Sequence, residues 1–146
     1  MEWISRKPTG QGDFVMQSTG LKLLIADDDR DFRESLREVF TRRGYFTQLA
    51  ADGREAVDIV QSEPDLHLVL LDVHMPRLSG IEALGEIRQV LETTLPCILM
   101  SAKFDDQIKR QAEQLDIASL LSKPFTLKAL TGTVEDTLKH VYGWPR

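Results

Sequence analysis

The residues LVLLD, Leu68–Asp72, are diagnostic of the architecture. Four apolar residues in succession leave no face for water, as in a strand whose parallel sheet is covered on both sides, and the run then ends in a carboxylate. To either side, Leu23–Ala26, Cys97–Met100 and Ala118–Leu121 are nearly continuous apolar runs of the same kind. Tyr45–Ala50 alternates and suits an edge strand. Between the runs, Phe32, Leu36, Val39 and Phe40 share one helical face, as do Gly80, Leu84, Ile87 and Leu91, and then Ile108, Ala112 and Leu115. Ala51–Ala56 is a turn leading into a further helix that Pro64 closes. A last helix carries Leu127, Leu130, Val134, Leu138 and Val141, with Thr126 placed to cap it. This alternation predicts a doubly wound α/β sandwich, a five-stranded parallel sheet flanked by five helices with right-handed crossovers.

The 146 residues suit one domain, and 42 % apolar with 28 % charged residues suits a globular one. The folded unit is expected over residues 21–142, after a flexible extension over 1–20 and before a short tail over 143–146. No run approaches the roughly 20 apolar residues of a membrane span, and the first twenty residues lack a secretory apolar region, so the expected location is the cytoplasm. Cys97, alone and inside an apolar run, fits a reducing compartment and a core position. The net charge of -5, with Arg42 and Arg43 an isolated pair, argues against direct nucleic-acid binding. No output module is expected after the last helix, so DNA binding would need a separate one. His67 and His140 read as surface residues.

In a doubly wound sheet, ligands bind beyond the carboxyl ends of the strands where the strand order reverses. The first strand runs into Asp27, Asp28 and Asp29, the third into Asp72, the fourth into Ser101, and the fifth into Lys123 and Pro124. If strands one and three are neighbours, as in the order 2-1-3-4-5, Asp27, Asp28 and Asp72 converge. Carboxylates within about 4 to 6 Å repel unless a cation lies between them, so the cluster implies a metal. All-oxygen ligation points to Mg²⁺, with Mn²⁺ as a substitute. The competing structural use is helix capping, which Asp29 or Asp31 can serve in addition.

Four groups of residues together resemble the response-regulator receiver family: Asp27 and Asp28; Asp72 with Met75, Pro76 and Gly80; Ser101 with Ala102; and Lys123, Pro124, Phe125. The match covers about Leu21–Val141. The resemblance implies a flavodoxin-like sheet, a receiver domain over 21–142, and a phosphorelay switch in place of an enzyme proper. It implies that Asp72 takes a phosphoryl group from a sensor histidine kinase or phosphotransfer protein. Asp27, Asp28, Asp72 and the backbone carbonyl of His74 would hold Mg²⁺, and Lys123 and Ser101 would contact phosphoryl oxygens. The family's Lys123–Pro124 bond is cis. His74 and Lys103 would flank the attacking water and set the dephosphorylation rate. The output would be a surface of the fourth helix, fifth strand and fifth helix, read by a downstream protein or an output domain, in a monomer or a phosphorylation-dependent dimer. At Leu120 the sequence departs from the family, which usually has Tyr or Phe as the partner of the Ser101 switch. Two other readings compete: a metal-dependent phosphohydrolase, which commonly has an Asp where His74 stands, and a pseudo-receiver that binds without phosphorylation.

Overall fold

The computed structural model describes residues 18–91 and 95–144. Among them the chain runs β1 (Lys22–Ala26), α1 (Arg30–Arg42), β2 (Phe46–Ala50), α2 (Gly53–Ser62), β3 (Leu68–Asp72), α3 (Gly80–Val90), β4 (Cys97–Ser101), α4 (Asp106–Gln114), β5 (Ser119–Ser122) and α5 (Leu127–Tyr142). The sheet is parallel, in the order β2-β1-β3-β4-β5, which is the expected doubly wound order. No helix among the described residues is long and apolar enough to cross a membrane.

Alternation along the strands feeds two cores. Leu24, Ala26, Val69, Leu71, Cys97 and Leu99 face a cluster closed by Val57 and Val60 of α2, Leu84 and Ile87 of α3, and Ala112 of α4. Leu23, Ile25, Leu68, Leu70, Ile98 and Met100 face the opposite cluster, closed by Leu36 and Phe40 of α1 and by Leu130, Val134 and Leu138 of α5. Each fully buried Leu or Ile contributes about 1.5 to 3 kcal/mol relative to exposure, so the central strands are the sheet's energetic spine. The alternating β2 lies at one edge and buries only Ala50 fully.

Helix starts follow side-chain capping of otherwise unpaired amides. Asp29, Asp52, Asp105 and Thr126 cap α1, α2, α4 and α5, and Ser79 with Glu82 forms a reciprocal capping box on α3. Gly44, at φ 93, follows the α1 C-cap and makes the left-handed turn at which helices commonly end.

Three expectations change in detail. β5 is only half-buried although its sequence reads like a central strand, because it has a partner on one side alone. Leu127, 56 % exposed, and Val141 lie in the first and last turns of α5, beyond its buried stripe. His67 is half-buried: its Nδ1 accepts the Lys22 N–H at 3.0 Å. Of the expected extension, residues 1–17 lie outside the described residues; Thr19 donates both its N–H and its hydroxyl to the Gly44 carbonyl. Of the expected tail, 145–146 lie outside, and Trp144 packs on Tyr45 with ring centroids 5.7 Å apart.

Candidate functional site: an acidic pocket at the strand ends

Register builds the pocket. Ala26 of β1 pairs with Leu71 of β3, so Asp27 and Asp72, each the next residue, stand side by side as both strands end. Asp28 follows on the solvent side, and carboxylate oxygens of Asp27, Asp28 and Asp72 all lie within 4.8 Å of one another. Asp27 is fully buried, Asp72 nearly so and Asp28 exposed. One Asp27 oxygen accepts the Asp29 N–H at 2.9 Å, which turns the chain into α1, and the Asp27 carbonyl accepts Arg33 at 2.7 Å.

From the end of β5, Lys123 extends its ammonium to Asp27 Oδ2 at 2.8 Å and stands 3.7 Å from Asp72 Oδ1. The Lys123–Pro124 peptide is cis. The ammonium also lies 4.4 Å from the centre of the Phe32 ring, and Phe32 in turn packs on Phe125. Three carboxylates against one ammonium leave excess negative charge in a largely buried place. Burial, with the neighbouring Asp27, pushes the Asp72 carboxyl up to about 6; Lys123 pulls it down, and Asp28 adds to the rise. The donor set is all hard oxygen and one cation short of neutral, so it suits a divalent ion of the Mg²⁺ or Mn²⁺ kind.

Ser101 ends β4 buried beside this pocket, but its hydroxyl is engaged locally: it donates to the Lys103 carbonyl at 2.9 Å and accepts the Lys103 N–H at 3.0 Å. Lys103 and His74 expose their side chains, two residues beyond Ser101 and Asp72 respectively. Leu120 on β5 is half-buried against the core beneath α2, α3 and α4, as are Phe104 and Ile108. Gly80 is demanded by contact: a Cβ there would run into the Asp72 carbonyl, which α3 approaches at its first turn.

The structure thus gathers Asp27, Asp28, Asp72 and Lys123 directly, sets Ser101 next to them with its hydroxyl on Lys103, and leaves Leu120 on the core side of β5. Sequence reading missed Phe32 and Arg33 as site neighbours. Phe32 reads as part of the apolar face of α1, and nothing local marks Arg33 as a partner of the Asp27 carbonyl.

Comparison with known proteins agrees with this geometry. Residues 23–135 match the family model described as the response regulator receiver domain. The response regulator MprA of Mycolicibacterium vanbaalenii is 38 % identical over 122 residues, covering 82 % of this chain and 51 % of that protein. Response regulator RR06 of Streptococcus pneumoniae serotype 2 is 34 % identical over 122 residues, covering 84 % and 55 %. The chain therefore spans about half the length of these curated relatives. Among solved structures, the Vibrio cholerae chemotaxis protein CheY4 superposes with a TM-score of 0.75 at 27 % identity, covering 81 % of this chain and 98 % of that one. The CheX-CheY-BeF3-Mg complex of Borrelia burgdorferi gives 0.75 at 27 %, covering 81 % and 89 %. With the strand order, the acidic strand ends and this match in agreement, the chain belongs to the response regulator receiver domain family of two-component systems.

Proposed function

We propose that this receiver domain accepts a phosphoryl group on Asp72 from the phosphohistidine of a sensor kinase or phosphotransfer protein, and that the surface of α4, β5 and α5 then changes its affinity for a downstream protein or output domain. The convergence of Asp27, Asp28 and Asp72 opposite the single ammonium of Lys123 carries this reading. In the transfer an Asp72 oxygen forms a bond to phosphorus, the phosphorus–nitrogen bond breaks, and the imidazole nitrogen leaves with its electron pair. A carboxylate is a weak nucleophile, so alignment and charge neutralisation supply most of the catalysis. Asp27, Asp28, Asp72 and the His74 carbonyl would hold Mg²⁺, or Mn²⁺ in its place. When bound, the ion supplies charge neutralisation at the phosphoryl oxygens.

The chain's own side chains do the rest. Lys123, already between Asp27 and Asp72, turns to a phosphoryl oxygen as a compact point charge. Ser101 exchanges the Lys103 carbonyl for another phosphoryl oxygen, and Leu120, in place of the family's usual aromatic ring, gives a weaker or differently shaped change on the surface of α4, β5 and α5. His74 and Lys103, both exposed, flank the route of the hydrolytic water and set the lifetime of the phosphoryl group. The domain is a switch that assists its own phosphorylation and dephosphorylation, working in the cytoplasm with residues 21–142 as the receiver unit, 1–20 as an extension and 143–146 as a tail. It acts as a monomer or a phosphorylation-dependent dimer, and any nucleic-acid contact belongs to a separate module.

The decisive experiment is intact-mass measurement after incubation with a small-molecule phosphodonor, with and without Mg²⁺, on the parent and on Asp72→Asn. The expected result is a single phosphoryl adduct on the parent that needs Mg²⁺ and is absent from Asp72→Asn. An adduct of equal yield on Asp72→Asn, or a parent left unmodified with Mg²⁺ present, overturns the proposal.

A further inference from the structure

The loop between β3 and α3, which carries His74, is held at three points. Gly80 N–H donates to the Val73 carbonyl at 2.9 Å and closes the loop on itself. Gly53 N–H, at the start of α2, donates to the Leu78 carbonyl at 3.1 Å. The Arg77 guanidinium pairs with Asp52 Oδ2 at 2.8 Å. Arg77 itself sits at φ 67, and Leu78 N–H reaches back across it to the Pro76 carbonyl at 2.7 Å. That is a tight turn through the left-handed region, which an arginine enters only at a cost. A backbone outlier of this kind persists where its surroundings hold it in place, and such outliers gather at functional sites. Asp52 is well fitted to do the holding. Its side chain is 13 % exposed, its Oδ1 caps α2 by accepting the Glu55 N–H at 2.8 Å, and its Oδ2 is left for Arg77.

We propose that the Asp52–Arg77 pair is a positioning device for the cation pocket: it fixes the turn at Arg77 and thereby the direction of the His74 carbonyl relative to Asp72. The inference rests on the reading that Asp27, Asp28 and Asp72 take Mg²⁺. Geometry and electrostatics predict opposite outcomes for removal of the Arg77 cation. Through space alone, removing the Arg77 cation strengthens Mg²⁺ binding and removing the Asp52 anion weakens it. If the pair acts by holding the loop, both removals weaken it.

The test is calorimetric titration of the full chain with Mg²⁺ alone, on the parent, Arg77→Gln, Asp52→Asn, the double variant and Arg77→Lys. Asp52→Asn keeps a side-chain oxygen for the α2 cap, and metal-free melting temperatures verify that each variant folds. Each single variant is expected to raise the Mg²⁺ Kd by about threefold to fivefold, the range of one partly exposed ion pair. The double variant is expected to bind no worse than either single, since the two side chains act as one unit. Arg77→Lys restores most of the affinity, and amide exchange at Leu78 and Gly53 speeds up in the metal-free single variants. Unchanged or tighter binding by Arg77→Gln, or additive losses in the double variant, overturns the proposal while the Mg²⁺ pocket stands. A parent that binds no Mg²⁺ overturns both readings together.

Discussion

Asp72 sits in an environment that raises its carboxyl to about 6, chiefly through burial and Asp27, against about 3.9 in an unfolded chain. The folded protein therefore holds this proton more tightly than the unfolded one. The stability that follows is fully present below the unfolded value and is lost as pH rises through the folded value, between about pH 4 and pH 6. At neutral pH the ionised Asp72 costs the metal-free protein on the order of 2 to 3 kcal/mol, which Mg²⁺ would offset. Asp72→Asn is accordingly expected to unfold at higher urea than the parent at pH 7 in chelator, and the advantage should shrink toward pH 5. Urea titrations at the two pH values check this; an equal difference at both would mean that the Asp72 environment does not shift its proton.

At the scale of elements, close approach and open space separate the glycines. Gly53 and Gly80 lie where a Cβ would strike the Leu78 and Asp72 carbonyls, backbone that cannot swing aside. Gly53→Ala and Gly80→Ala are expected to destabilise by roughly 1 to 3 kcal/mol. Gly85 in α3 and Gly132 in α5 have nothing within 4 Å, so alanine there should stabilise by about 0.5 to 1 kcal/mol through lower unfolded-chain entropy and better helix propensity. Denaturation midpoints of the four variants decide it, and a stabilising Gly80→Ala would contradict the packing described. Leu120 offers a second element-level expectation. With Mg²⁺ and beryllofluoride, amide resonances of Ser101–Ser122 should shift, and Leu120→Ala should reduce the shifts in α4 without abolishing those at Ser101. The elements themselves were legible because their apolar periods are local, and the α5 cap at Thr126 was legible for the same reason. The Ser79–Glu82 capping box could have been read from its spacing. The Asp52–Arg77 pair, the Phe32 ring beside Lys123 and the half-exposed β5 could not, since each depends on which distant segments become neighbours.

Across the whole molecule, the end of the sheet opposite the acidic pocket carries a second titrating pin. His67 Nδ1 accepts the Lys22 N–H, the His67 N–H returns a bond to the Lys22 carbonyl at 2.9 Å, and Tyr142 of α5 donates its hydroxyl to the His67 carbonyl at 2.8 Å. The Tyr142 ring stands edge-on to the imidazole, so β1, β3 and α5 meet at one residue. Burial, helped by the Lys22 cation and opposed by Asp65, holds the imidazole below its ordinary range. Protonation would also place a hydrogen where Nδ1 must accept one. The sign is therefore opposite to that of Asp72: the stability supplied by neutral His67 is present above about pH 6.5 and is lost as pH falls through its lowered folded value. His67→Asn keeps an acceptor near the Nδ1 position and removes the titration, so the change in its unfolding free energy from pH 7 to pH 5 should be more favourable than the parent's. Parallel curves for the two would overturn this assignment. About 16 Å of strand separates His67 from Asp72, far enough for independent effects. The parent profile then partly conceals two slopes of opposite sign, and the double variant His67→Asn, Asp72→Asn should show the sum of the two single-variant changes at every pH.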